Sequence, residues 1–183
     1  MDRHPRPQRS QGMLFVDTLS DLDTETGYRG PIACKAAGIT YRQLDYWART
    51  GLVEPTVRSA KGSGSHRLYS FRDILVLKIV KRLLDTGVSL QQIRIAVEAL
   101  SKRGVESLSA ITLMSDGASV YECTSTDEVI GLVQGGQGVF GIAVGRVWRE
   151  IEGTLAALPV ESIKDELIVP DELAAARARR NAG

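Results

Sequence analysis

The sequence predicts an α+β fold in two unequal parts. Four helices with a two-stranded wing occupy residues 28–104, and a small ββαβα unit follows over 105–158. Three observations carry this prediction. Helix-start and helix-stop residues recur densely from Gly30 to Gly104. Beyond Gly104 they give way to short apolar runs parted by Asp-Gly and Gly-rich turns. Charge changes sign at the same boundary: residues 28–104 hold fourteen Lys/Arg against five Asp/Glu, and residues 105–183 hold six against twelve. The formal net charge of the 183 residues, +1, conceals that segregation.

Each element follows from local chemistry. Gly30-Pro31 suits a helix start, because proline at the first helical position gives up only an N–H that had no partner. Gly38 closes that helix in the left-handed conformation. Thr40 with Gln43 forms a capping box that opens a second helix, Tyr41 to Thr50, ended by Gly51. Its buried side carries Leu44 and Trp47, and its other side carries Arg42, Gln43, Asp45 and Arg49. Two short helices joined by a tight glycine turn make a helix-turn-helix. Two extended runs, Thr56-Val57-Arg58 and His66-Arg67-Leu68-Tyr69, flank a Gly/Ser-rich tip and read as the wing. Ser70 with Asp73 opens a third helix and Gly87 stops it; Ser89 with Gln92 opens a fourth. In the second part, a hairpin turns at Asp116-Gly117 and a helix starts at Ser125. A strand covers Val139 to Val144, and an amphipathic helix carries Val147, Trp148, Ile151 and Leu155. The arm at 1–27 and the charged tail at 159–183 are expected to be flexible or mobile, with a short helix at Asp171 to Arg180.

Composition excludes several classes of function. No run approaches the ~18 apolar residues of a membrane span, and the N-terminus lacks the apolar core of a signal peptide. Two cysteines, Cys34 and Cys123, suit a reducing cytoplasm rather than a disulfide framework, and two histidines leave few parts for a metal site. No nucleophile–base pair stands out, so neither catalysis nor a cofactor is expected. Gly136-Gln137-Gly138-Val139-Phe140-Gly141 matches G-x-G-x-x-G, but a predicted helix precedes it and a strand follows, the reverse of the dinucleotide fingerprint. A tight turn with close backbone packing is the better reading.

The basic block is the specific part. The run Ile39-Thr40-Tyr41-Arg42-Gln43-Leu44-Asp45-Tyr46-Trp47-Ala48-Arg49-Thr50-Gly51-Leu52-Val53-Glu54-Pro55 resembles the helix-turn-helix of the MerR family. The resemblance continues through Arg58, Arg67, Tyr69 and Phe71-Arg72-Asp73-Ile74, and ends on Thr86-Gly87-Val88-Ser89-Leu90-Gln91-Gln92-Ile93. It implies a bacterial transcription regulator, cytoplasmic and nucleoid-associated, that binds double-stranded promoter DNA as a homodimer on a pseudo-palindromic site. It also implies distortion of the promoter spacer that repositions RNA polymerase. On physical grounds, a helix presenting Thr40, Tyr41, Arg42 and Gln43 at its N-terminal end suits the major groove, with Arg42 the candidate for base contact. Tyr46 and Arg49 suit phosphates, as do Arg58, Lys61, His66, Arg67 and Tyr69 on the wing. Tyr46 has a second reading as core, and Tyr69 a second reading as packing between the wing and the third helix.

Three departures from the family pattern stand out. Asp45 and Ala48 replace the Arg and Glu of the family's recognition helix, and His66 replaces the first Tyr of its wing. From Val105 onward no long helix is available to pair with a partner's, so dimerisation falls to the second part, with Phe140, Trp148, Ile151 and Leu155 as candidates and ordinary core as the competing reading. Two other functions compete with the regulator reading. One is an interaction module whose acidic part binds a small-molecule or protein effector, DNA serving as its address. The other is non-specific architectural DNA binding.

Overall fold

The computed structural model describes residues 26–59, 66–138 and 140–162. The expectations for the N-terminal arm, for Lys61 at the wing tip and for a helix in the tail lie outside those residues. The fold is α+β, with helices around two three-stranded sheets.

The N-terminal part opens with strand β1 (Thr26–Arg29), which runs directly into helix α1 (Gly30–Ala37). Pro31 stands in the first turn of α1, and Gly38 caps its end at φ 74°, a conformation that costs glycine nothing. Helix α2 (Tyr41–Arg49) starts at the Thr40 capping box. Strand β2 (Leu68–Tyr69) leads to helix α3 (Phe71–Asp85), which starts at a second capping box, Ser70 with Asp73. Helix α4 (Leu90–Ser101) starts where Ser89 accepts from the Gln92 N–H.

After α4 comes a single turn, α5 (Val105–Leu108), that sequence punctuation did not announce. Strands β3 (Thr112–Ser115) and β4 (Val120–Cys123) form a hairpin through Gly117, and helix α6 (Thr126–Gln134) follows. Strand β5 (Phe140–Ala143) passes without a break into helix α7 (Val144–Leu155). The second sheet has the order β4-β3-β5, antiparallel throughout. The G-x-G-x-x-G stretch joins α6 to β5, and Gly138 and Gly141 lie against Met114, where an added Cβ would come within 2.7 Å of its side chain.

The first sheet differs most from the sequence-based expectation. The two runs of the wing meet at one antiparallel bridge, Arg58 to Leu68, and β2 also pairs along its length with β1 in the register Tyr28–Tyr69 and Arg29–Leu68. The other edge of β1 holds β6 (Glu161–Ser162), residues that the sequence reading had placed in the tail. Gly27 sits at the crowded centre: a Cβ there would lie 2.9 Å from the Leu68 Cβ and 3.2 Å from Val57. The Leu68 N–H and C=O both bond Arg58, so β1 lies on the other edge of β2 and extends the sheet without replacing the wing's first run.

One apolar core spans both parts. It runs from Leu44 and Trp47 through Leu77 and Leu83 to Val147 and Ile151. Helix α7 packs on α3 and α1, and the Phe71 and Trp148 rings meet with centroids 4.7 Å apart. At the edge of that contact Glu150 takes Lys78 at 2.8 Å and Arg82 at 2.5 Å. No helix among the described residues is long and apolar enough to cross a membrane.

Candidate nucleic-acid interface

Helix α2 owes its direction to its cap and its anchoring to two side chains. The Gln43 N–H donates to the Thr40 Oγ1 at 3.2 Å, and the Thr40 N–H donates back to the Gln43 Oε1 at 2.9 Å. Both residues, expected at base edges, therefore hold the helix N-terminus closed in this structure. Leu44 and Trp47 are buried beneath. That burial turns the opposite face outward: Tyr41 is 63% exposed, Tyr46 48% exposed, and Arg42 and Arg49 are exposed with them. Of the two readings of Tyr46, the structure places it at the surface. Arg42 has no ion pair among the described residues.

Asp45 organises the middle of this face. Its Oδ2 accepts from the Arg49 Nε at 2.8 Å and its Oδ1 from the Arg67 Nη1 at 2.8 Å. Arg49 is one helical turn along α2, whereas Arg67 belongs to the wing. One carboxylate thus joins recognition helix to wing. The Arg67 guanidinium, followed by that of Arg49, holds the Asp45 carboxyl below the usual carboxylate range.

On the wing, the Arg58 Nε donates to the His66 carbonyl at 2.9 Å, closing the base of the loop, and the His66 side chain is exposed. Tyr69 lies elsewhere. It is fully buried, as the packing alternative has it. Its hydroxyl finds no hydrogen-bond partner among the described residues. Burial pushes its pKa up to about 12, with the Arg67 guanidinium pulling the other way. Gly30, Pro31, Tyr41 and Asp45, with Arg67 and Tyr69 of the wing, line a cleft of about 420 Å³.

The wing is braced from below by Asp73, 4% exposed at the start of α3. Its Oδ2 accepts from the Thr56 N–H at 2.8 Å and the Ser70 N–H at 2.9 Å. Burial pushes the Asp73 carboxyl above its ordinary pKa, and those donors partly offset the shift. Several cations of the basic block are similarly occupied. The Arg72 Nη2 donates to the carbonyls of Leu100, Ser101 and Arg103, closing the C-terminus of α4. Lys78 donates to the Ala36 carbonyl and Arg94 to that of Thr50. The basic excess is partly helix capping and partly an outward-facing set on α2 and the wing.

Of the four residues named for dimerisation, Ile151 and Leu155 are core, while Phe140 and Trp148 are half-buried against it. Cys34 is half-buried and Cys123 buried, and burial raises both thiol pKa values. Among the described residues no group of three or more His, Cys, Asp or Glu is placed to hold a metal.

Residues 28–100 match the family model described as MerR HTH family regulatory protein. An HTH-type transcriptional regulator of Mycobacterium tuberculosis is 62% identical over 171 residues, covering 92% of this chain and 76% of that protein. The HTH-type transcriptional regulator HmrR of Sinorhizobium medicae is 34% identical over 62 residues, 34% of this chain and 40% of that one. The HTH-type transcriptional repressor CarH of Myxococcus xanthus is 30% identical over 147 residues, 80% of this chain and 46% of its own length. These relatives are transcription regulators, and none is named as an enzyme.

Proposed function

The chain belongs to the MerR HTH family of regulatory proteins, and from that premise we propose that it is a sequence-specific transcription regulator that binds promoter DNA as a homodimer. The observation that carries the reading is the outward face of α2, with Tyr41, Arg42, Tyr46 and Arg49 tied through Asp45 to Arg67 of the wing. In this reading α2 lies in the major groove, Arg42 meets a base edge, and Tyr46, Arg49, Arg58, Lys61, His66 and Arg67 meet the backbone. Two copies place two such helices on a pseudo-palindromic site, with contact between them in the part beyond residue 104. Phe140 and Trp148 offer their exposed edges there. Distortion of the promoter spacer, with its consequence for RNA polymerase, rests on family membership alone; its cost would be offset by the wing and phosphate contacts.

The test is fluorescence-anisotropy binding to DNA selected from a random pool, over a salt series. Wild type selects a two-fold symmetric site. Arg42→Ala relaxes the preference at one base position in each half-site, a loss of about 1–3 kcal/mol of discrimination. Arg67→Ala flattens the salt slope on the selected site by about 1. Equal binding of all sequences by wild type, with a steep salt slope, overturns the reading in favour of architectural binding.

A second reading concerns the part beyond residue 104, and helix α6 favours it. None of its residues is buried, and Ile130 (46% exposed) and Val133 (53% exposed) face outward. A helix with that apolar surface suits contact with a protein or small-molecule effector, and such an effector regulates only by favouring one arrangement of the DNA-binding parts over another.

A further inference from the structure

In the DNA-reading surface of this chain the unusual residue is an acid among the bases. Asp45 lies three residues after Arg42 and four before Arg49, so it shares the outward face of α2 with both. A carboxylate on that face repels the phosphates that the neighbouring arginines attract. It also occupies those arginines: one oxygen holds the Arg49 Nε and the other the Arg67 Nη1, each at 2.8 Å. The Asp45 and Arg67 side chains are both only partly exposed, and 22 residues of chain separate them.

An ion pair so close to solvent contributes little to folding, so stability is a poor account of it. Its consequence for recognition is larger. A free arginine binds any phosphate it can reach, and every such contact adds affinity for all DNA without regard to sequence. An arginine held by a carboxylate presents its remaining donors in one direction and gains from DNA only where the backbone passes at that place.

We propose that Asp45 is a specificity-determining residue: by holding Arg49 and Arg67 in one register, it lowers attraction to DNA in general and makes tight binding conditional on the right site. The inference rests on the reading of this face as a sequence-specific DNA surface. Asp45 acts through Arg49 and Arg67, so it is a positioning residue.

The experiment compares full-length wild type, Asp45→Ala, Asp45→Asn, Asp45→Glu and the double variant Asp45→Ala/Arg67→Ala. Each is titrated with the selected site and with a scrambled duplex from 50 to 300 mM salt, and each is also melted thermally. Asp45→Ala is expected to bind the scrambled duplex about tenfold more tightly at the lowest salt, with a salt slope steeper by about 1–2. Its preference for the selected site falls about tenfold, while its melting temperature stays near that of wild type. Asp45→Asn, which keeps the size but loses the charge, follows Asp45→Ala. Asp45→Glu keeps a carboxylate within reach and retains most of the preference. Arg67→Ala in the Asp45→Ala background brings the slope back by about 1, because the freed arginine is gone.

If Asp45→Ala leaves both the preference and the slope unchanged, or weakens both duplexes equally, the inference is overturned while the regulator reading stands. A wild type that prefers no sequence overturns both.

Discussion

Helices α2 and α6 have the same length, nine residues, and the same kind of start, a hydroxyl side chain accepting from the N–H three residues on. There the likeness ends. Helix α2 buries Leu44 and Trp47 and turns tyrosines and arginines outward, whereas α6 buries no residue and turns Ile130 and Val133 outward. Local chemistry decides that each helix forms, and tertiary burial decides how firmly it is held. Helix α2 is anchored by two buried side chains, whereas α6 lies on its sheet through half-buried contacts alone.

The comparison breaks most visibly at Leu44. Leu44→Ala removes a fully buried side chain and is expected to cost about 2–5 kcal/mol in denaturant titration. Val133→Ala on α6 stays within about 0.5 kcal/mol. Equal losses at the two sites would mean that α6 is as deeply anchored as α2.

A smaller effect sharpens the contrast. Ser125→Ala removes the cap of α6 and is expected to cost about 1 kcal/mol. Because little else holds that helix, hydrogen exchange should show its amides opening locally, with no change across α2. Uniform acceleration across both helices would point to one cooperative unit without a weaker part.

The smallest effect lies where the two parts meet. Lys78, then Arg82, hold the Glu150 carboxyl below its ordinary pKa. A depressed carboxylate stabilises the fold above the usual glutamate range, and that contribution is lost as pH falls through the lowered pKa. Glu150 is half exposed, so Glu150→Gln should cost no more than about 1 kcal/mol at pH 7. The difference from wild type should close on acidification, read as convergence of thermal midpoints; a gap independent of pH would assign Glu150 a packing role instead.

Helix boundaries were legible in the sequence because their causes lie within four residues of each other. Thr40 with Gln43, Ser70 with Asp73, and the glycines after α1, α2 and α3 carry their instruction locally. Strands β1 and β6 were not legible, since four residues and two residues hold no periodicity, and their partners lie far along the chain. The same distinction runs through the candidate interface. The outward face of α2 followed from the spacing of Leu44 and Trp47, whereas the work of Asp45 depends on Arg67 in another element. Of the two readings of Tyr69, burial among elements far apart in the chain decides, and no local pattern announced it.

The pairing of β1 with β6 also sets an order of events during synthesis. Thr26 meets Ser162 and Gly27 meets Glu161, so β1 leaves the ribosome early and its partner follows only after α7 has been made. At typical elongation rates the outer edge of β1 stands open on the order of ten seconds. Its brevity, with Arg29 at its end, makes it a poor template for a stray strand in that interval. The N-terminal part can assemble first on α1, α2 and β2, and the last strand then closes the edge, joining the wing's sheet to β6.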